Sequence, residues 1–346
     1  MKDKVFITGA SGFIGYHLVK TALEAGMEVH AAVRPSSDLT FLKKLQSNTG
    51  KPGTDSAGSE ALVFVNTNFS SKESLKELLE KGGYTYIIHA AGVTKAKTAE
   101  AYNLVNADYS LNLAVAAMSA DIPLRRFVFL SSLAAIGPLV YAEEQPITEA
   151  TLPKPVTEYG KSKLLAETYL REVSGLPLTI IRPTAVYGPG EKDLFVLFKT
   201  LNSGLDAYIG KRPQRLSFVY VKDLVAATMA AMVRDREEIT VYNISDGQAY
   251  DRYALADRFR EISGKSVFRT HLPMALVEMT AGFLDFIYSF SSVTPVLNRE
   301  KLKELTASNW ICSIDAARNN LQYQPQYDLR KGLTETLTWY KENKWL

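Results

Sequence analysis

The sequence predicts an α/β fold: a doubly wound parallel sheet with a smaller C-terminal lobe. Three observations carry this. Short apolar runs alternate with helical patterns through the first half of the chain. A glycine-spaced turn joins the first run to the first helix. From Gly188 onward the alternation weakens, and turns such as Gly188-Pro189-Gly190 mix with helical stretches.

The elements follow in order. Val5 to Thr8 is a short apolar run ending in Gly9, and Phe13 to Ala25 shows helical spacing at Ile14, Leu18 and Leu23. Further apolar runs are Val29–Val33, Leu62–Val65, Tyr84–His89, Phe127–Leu130 and Leu178–Ile181, with late strands around Leu216–Val221 and Thr240–Ile244. Runs this short, separated by helical stretches, fit buried parallel strands with right-handed crossover helices. Gln46 to Glu60 is polar and rich in Gly and Ser, so a surface loop is expected there.

Composition bounds the function. With 40 basic and 37 acidic residues the formal charge is +3, which argues against a polycationic nucleic-acid binder. One cysteine, Cys312, excludes an internal disulfide and a cysteine-cluster zinc site, and four dispersed histidines argue against a His-rich metal site. No metal is expected. The N-terminus enters a strand directly and does not read as a signal peptide. The stretch Met274–Val293 carries Glu278 and Asp285, short of about 18 uninterrupted apolar residues, so an amphipathic helix is expected. A cytoplasmic protein with no membrane or nucleic-acid partner is the expectation.

Gly9, Gly12 and Gly15 lie in Thr8-Gly9-Ala10-Ser11-Gly12-Phe13-Ile14-Gly15, after a strand and opening a helix. That context suits a dinucleotide: tight turn, close backbone approach to a pyrophosphate, close helix–strand packing, and helix N-terminal amides for the phosphates. The second strand ends without an acid and continues into Arg34, Ser36 and Ser37, which suits a 2′-phosphate. NADP is therefore favoured over NAD, although Asp38 lies nearby. Tyr159 and Lys163 are one helical turn apart, and an ammonium beside a phenol favours the phenolate, giving an acid or base for a carbonyl/alcohol pair. Ser131 and Ser132 end an apolar strand, where a hydroxyl can orient a substrate oxygen or cap a turn.

With these pieces in place the chain resembles the extended short-chain dehydrogenases/reductases, the NAD-dependent epimerase/dehydratase family. The matching segments run from Phe6 to about Ala249: TGASGFIG (8–15), HAAG (89–92), VN (105–106), LSS (130–132), YGKSK (159–163), RPTAVYGPG (182–190), FVYVKD (218–223) and YNISDG (242–247). The resemblance implies a Rossmann domain over 1–187, completed by about 216–249, and a substrate lobe in 188–215 and 250–346. It implies Tyr159 as acid/base, with Lys163 on the nicotinamide ribose and lowering the Tyr159 pKa, and Ser132 at the catalytic serine position. For the cofactor it implies the Gly9–Gly15 turn with Ser11, Phe13 and Ile14; Ala90, Ala91 and Gly92; Pro183 and Val186 near nicotinamide; and Asn68 and Phe69 flanking adenine. Asn106 would support the central helix. The helices Ala99–Met118 and Ser162–Val173 would form a homodimer bundle.

Departures from the family narrow the chemistry. Leu133, Ala134 and Ala135 follow Ser132 where dehydratases carry an acid. Leu216 stands where nucleotide-sugar epimerases carry a phosphate-binding Arg, with Arg215, Arg212 and Lys211 nearby. Val33-Arg34 resembles the dihydroflavonol reductase and 3β-hydroxysteroid dehydrogenase-like branches. The resemblance thus implies an NAD(P)-dependent oxidoreductase of a small carbonyl/alcohol substrate. A sugar-nucleotide epimerase is the alternative, and a non-catalytic dinucleotide sensor a remote one. Phe195, Phe198, Tyr208, Phe283, Phe286 and Tyr288 are candidate core or pocket aromatics.

Overall fold

The computed structural model describes residues 3–49, 61–234, 239–279 and 299–346. Its strands begin with β1 (Lys4–Thr8), β2 (Glu28–Val33), β3 (Leu62–Asn66), β4 (Tyr86–His89), β5 (Arg126–Leu130) and β6 (Leu178–Pro183). Short strands β7 (Ala185–Tyr187), β8 (Leu205–Ile209), β9 (Arg215–Leu216) and β10 (Phe218–Tyr220) come next. Then β11 (Thr240–Ile244) returns to the main sheet, and β12 (Tyr250–Asp251) and β13 (Phe268–Leu272) follow.

The main sheet has seven parallel strands in the order β11-β6-β5-β4-β1-β2-β3. Alternate residues of β1 feed two cores. Val5 and Ile7 pack on one face with Leu18 and Val19 of α1 (Phe13–Glu24), while Phe6 packs on the other with Ile87, Phe127 and Phe129. Both faces are dry, which is why these strands read as continuous apolar runs and not as alternation. The chain order reverses between β1 and β4, so a crevice opens beyond their carboxyl ends, where Thr8 pairs with His89.

The crossover helices are α2 (Thr40–Thr49), α3 (Lys72–Gly82), α4 (Ala99–Asn103), α5 (Tyr109–Ser119) and α6 (Glu158–Glu172). Side-chain caps start several of them: Ser71 for α3, Thr98 for α4 and Thr157 for α6. A third core, with Tyr187, Phe198, Phe218, Tyr220, Phe259, Leu333, Leu337 and Tyr340, organises the C-terminal part. Among the described residues no helix is long and apolar enough to cross a membrane.

Two expectations are corrected. The segment from Gln46 is not loop at its start, because α2 runs to Thr49; residues 50–60 lie outside the described residues. The stretch Ala99–Met118 is not one regular helix. A π-helical turn, Leu104–Asp108, separates α4 from α5 and carries Asn106 inward. Of Met274–Val293, residues 274–279 are helical and the remainder, with Phe283, Phe286 and Tyr288, lies outside the described residues.

Candidate active site

The glycine turn is built by sterics. Gly9 has φ +68°, and a Cβ there would meet the Ala90 carbonyl oxygen at 2.6 Å. A Cβ on Gly15 would come within 2.0 Å of the Gly9 oxygen. Gly12 caps α1 in extended conformation with no side-chain hydrogen bond, unlike α3, α4 and α6. The first intrahelical bond is Tyr16 N–H to the Gly12 oxygen, 2.9 Å, so the Phe13, Ile14 and Gly15 amides precede the helical ladder. Ser11 is exposed at the turn. This uncapped N-terminus, roofed by Ala90–Gly92, fits the pyrophosphate of a dinucleotide.

At the end of β2, Arg34 is exposed, and a turn closes with Arg34 N–H to Ser37 Oγ and Ser37 N–H to the Arg34 oxygen, both 2.9 Å. Asp38 is tied to Thr40, accepting from its hydroxyl at 2.7 Å and its N–H at 2.9 Å, and these bonds hold its carboxyl below the usual range. Asn68 Oδ1 accepts from the Ser70 hydroxyl at 2.7 Å and its N–H at 3.1 Å. Phe69 stacks on Tyr109, and its carbonyl accepts from Asn112 Nδ2 at 3.0 Å. Pro183 closes β6 in the core, and Val186 packs against the first core from β7.

Tyr159 and Lys163 project from the first turns of α6. The Tyr159 hydroxyl hydrogen-bonds Ser132. Burial pushes the Tyr159 phenol up to about 12; the bond to Ser132 opposes this, and Glu304 and Tyr102 add to it. The protein groups alone thus move Tyr159 opposite to the lowering expected from Lys163. Lys163 is buried, donates to the Leu130 carbonyl at 2.8 Å and lies over the Phe129 ring at 4.8 Å. Burial lowers its ammonium to about 8, against the pull of Glu167. A Cβ on Gly92 would approach Lys163 Nζ to 3.3 Å, so the HAAG turn and the lysine share one cleft.

The two serines do different work. Ser131 is buried and donates to Glu167 Oε1 at 2.6 Å, deep in the core. Ser132 is half-exposed and accepts from Ala134 N–H at 3.2 Å, so it caps the short turn Leu133–Ala135 while reaching Tyr159. Glu167 also pairs with Arg182, whose Nε donates to Oε1 at 2.9 Å and Nη2 to Oε2 at 2.5 Å.

Sequence reasoning missed a buried chain of hydrogen bonds. Thr8 Oγ1 accepts from Ala91 N–H at 3.1 Å and meets His89 Nδ1 at 2.7 Å. His89 Nε2 meets Ser110 Oγ at 2.8 Å, and that hydroxyl donates to the Asn106 carbonyl at 2.7 Å. With its hydroxyl so engaged, Ser110 accepts from His89, which fixes the Nε2–H tautomer with Thr8 donating to Nδ1. The Asn106 side chain accepts from Val93 N–H at 2.8 Å and donates to Ser162 Oγ at 2.9 Å. Ser162 donates to the Tyr159 carbonyl at 2.8 Å. His89 was visible only as part of a motif, because its hydrogen-bond partners Thr8 and Ser110 come from two distant segments. Glu304 and Tyr102 carried no sequence signal at all.

The model of the NAD dependent epimerase/dehydratase family matches residues 5–245. The chain belongs to that family. It is an NAD(P)-dependent enzyme of the extended short-chain dehydrogenase/reductase type. Ceramide reductase of Caulobacter vibrioides is 29% identical over 348 residues, 99% of this chain and 96% of that protein. The 3β-hydroxysteroid dehydrogenase/Δ5→4-isomerase of Mycobacterium tuberculosis is 26% identical, across 97% of this chain and 90% of its own. The solved UDP-glucose 4-epimerase of Thermotoga maritima superposes with a TM-score of 0.75 at 21% identity, covering 99% of both chains. That structural likeness speaks to fold.

Proposed function

We propose that this family member is an NADP(H)-dependent reductase of a ketone carried on an apolar, lipid-like molecule. The observation that carries the choice over a sugar-nucleotide epimerase is the setting of Arg215. Its guanidinium lies over the Tyr141 ring at 4.9 Å and donates to the Glu143 carbonyl at 3.4 Å, and Leu216 fills the place of a diphosphate-binding arginine. The segment between Ser132 and Tyr159 presents Val140, Tyr141, Leu152 and Val156 to solvent, an apolar group suited to an apolar substrate. Two relatives, the ceramide reductase and the steroid dehydrogenase, act on such molecules by name.

When bound, the nicotinamide supplies a hydride to the carbonyl carbon or takes one back from the alcohol. The Gly9–Gly15 turn and Ala90–Gly92 would hold its phosphates and ribose, and Arg34 a 2′-phosphate. The Ser132 and Tyr159 hydroxyls donate to the carbonyl oxygen. As that oxygen becomes an alkoxide it takes the Tyr159 proton, and the ketone ends as an alcohol. A phenol held near 12 is fully protonated at neutral pH, which suits the acid role in reduction. The Lys163 ammonium stabilises the phenolate left behind.

The test has two stages. Nucleotide released from purified protein is identified, and thermal stabilisation by NADPH and NADH is compared. NADPH oxidation is then followed with a long-chain β-keto amide and a steroid ketone, with UDP-glucose alongside. Turnover of an apolar ketone is expected. Tightly retained NAD with conversion of a nucleotide sugar overturns the reading in favour of the epimerase.

A further inference from the structure

The two-stranded sheet of β8 and β13 is polar inside and apolar outside. Its parallel register pairs Leu205 with Phe268, Asp206 with Arg269, Ala207 with Thr270, Tyr208 with His271 and Ile209 with Leu272. One face is turned into the protein. There Asp206 is fully buried and bonds Arg269 at 2.7 Å, Tyr208 stacks on His271, and Tyr253 meets His271 at 2.9 Å. The opposite face carries Leu205, Ala207, Ile209, Phe268 and Leu272, with Thr270 as its polar member. Phe268 is 71% exposed, and Leu205 and Leu272 are exposed as well. The short helix that follows turns Val277 inward and leaves Met279 66% exposed. An antiparallel or small surface sheet ordinarily does the reverse, apolar in and polar out. Apolar surface left outward in this way marks a place of contact.

Charge indicates what is contacted. Exposed Lys265 lies just before Phe268 at one end of the strands, and exposed Lys211 and Arg212 follow Ile209 at the other. Across residues 203–213 and 265–279 the exposed acid is Glu278, since Asp206 is buried against Arg269. An apolar strip bracketed by cations matches an anionic lipid surface: side chains enter the acyl boundary while lysine and arginine meet headgroups.

We propose that this face docks the enzyme peripherally on an anionic bilayer. The proposal rests on the lipid-like substrate read above, because such a substrate resides in the membrane and must be collected there. It departs from the expectation of no membrane partner while requiring no spanning helix.

Vesicle flotation tests it independently of turnover. Full-length protein is mixed with vesicles of phosphatidylcholine containing one-third phosphatidylglycerol, and with pure phosphatidylcholine. Flotation with the anionic vesicles at low salt is expected, weakening at high salt. Phe268→Ser with Met279→Ser should reduce vesicle affinity on the order of ten-fold or more, from the apolar surface no longer buried. Lys211→Glu with Lys265→Glu should abolish the preference for anionic lipid. Both variants should keep wild-type thermal stabilisation by NADPH, which shows that they fold. Absence of flotation at low salt, or variants floating like wild type, overturns the proposal. So does a dimer that the Phe268 variant splits in sedimentation without vesicle binding, which would make this face a contact between copies. If vesicles bind but no apolar ketone is reduced, the substrate reading fails and the docking surface stands.

Discussion

The His89 imidazole reaches the backbone carbonyl of Asn106 through a single hydroxyl, that of Ser110, in bonds of 2.8 and 2.7 Å. The link joins the end of β4 to the π-helical turn that carries Asn106. It continues through Ser162 to the Tyr159 carbonyl. The turn after β4 and the start of α6, with Tyr159, are thereby braced by one buried network. Burial lowers the His89 imidazole to about 3, so it stays neutral across the working pH range and acts as a brace.

Replacing His89 by Leu leaves Thr8 and Ser110 with unmet polar groups. Each buried unsatisfied group costs about 1–3 kcal/mol, so a loss of about 2–6 kcal/mol is expected in urea unfolding. His89→Gln, which can both accept and donate, should recover part of it. Equal losses in the two variants would show that packing, not hydrogen bonding, dominates.

Tyr159→Phe removes the proposed proton donor and little else. Turnover should fall about 10²–10⁴-fold, the usual contribution of positioned acid–base catalysis. NADPH affinity, read by fluorescence titration, should stay within about three-fold because the phosphates are held elsewhere. Near-normal turnover removes Tyr159 from the mechanism.

Glu167 and Arg182 form a buried pair, with side chains 2% and 4% exposed. Glu167→Ala strands a buried guanidinium and the Ser131 hydroxyl, so a loss of about 3–5 kcal/mol is expected. Ser131→Ala should cost less, about 1–2 kcal/mol, because the ion pair survives. Chemical denaturation of both variants checks the ranking.

Lys163 gives stability a pH signature. Its ammonium is lowered from 10.5 to about 8 by burial. Between those values the unfolded chain binds the proton and the native state has released it, so the Lys163 contribution to stability rises with pH. Below about 8 both states are charged and the burial penalty is complete. Urea unfolding at pH 7.5 and 9.5 should show a rise that Lys163→Met lacks. Tyr159 opposes this only above its ordinary 10, where the native phenol keeps its proton and the unfolded one does not. An identical pH slope in wild type and variant would place the lysine's titration elsewhere.

Arg34 reads the 2′-phosphate in the proposed function. Arg34→Ala should weaken NADPH by about ten- to hundred-fold, the range for losing charge-assisted hydrogen bonds. NADH should change little. Thermal shifts with both cofactors make the comparison, and equal loss for the two would remove Arg34 from phosphate recognition.

The parallel sheet was legible in the chain alone, because strands buried on both faces are mostly apolar along their length. So was the tight Gly9–Gly15 turn, because Gly9 and Gly15 occupy positions where a Cβ collides with backbone. The placement of Tyr159 and Lys163 one turn apart on α6 was legible because helical spacing fixes it locally. Tertiary structure alone decided the rest. Ser131 and Ser132 are neighbours in sequence, and only the approach of α6 sends one to Glu167 and the other to Tyr159. The π-helical turn at Asn106, the tautomer of His89 and the outward apolar face of β8 and β13 depend on residues tens of positions apart. Local spacing records which face a side chain takes on its own element. It holds no record of which distant group will be waiting there.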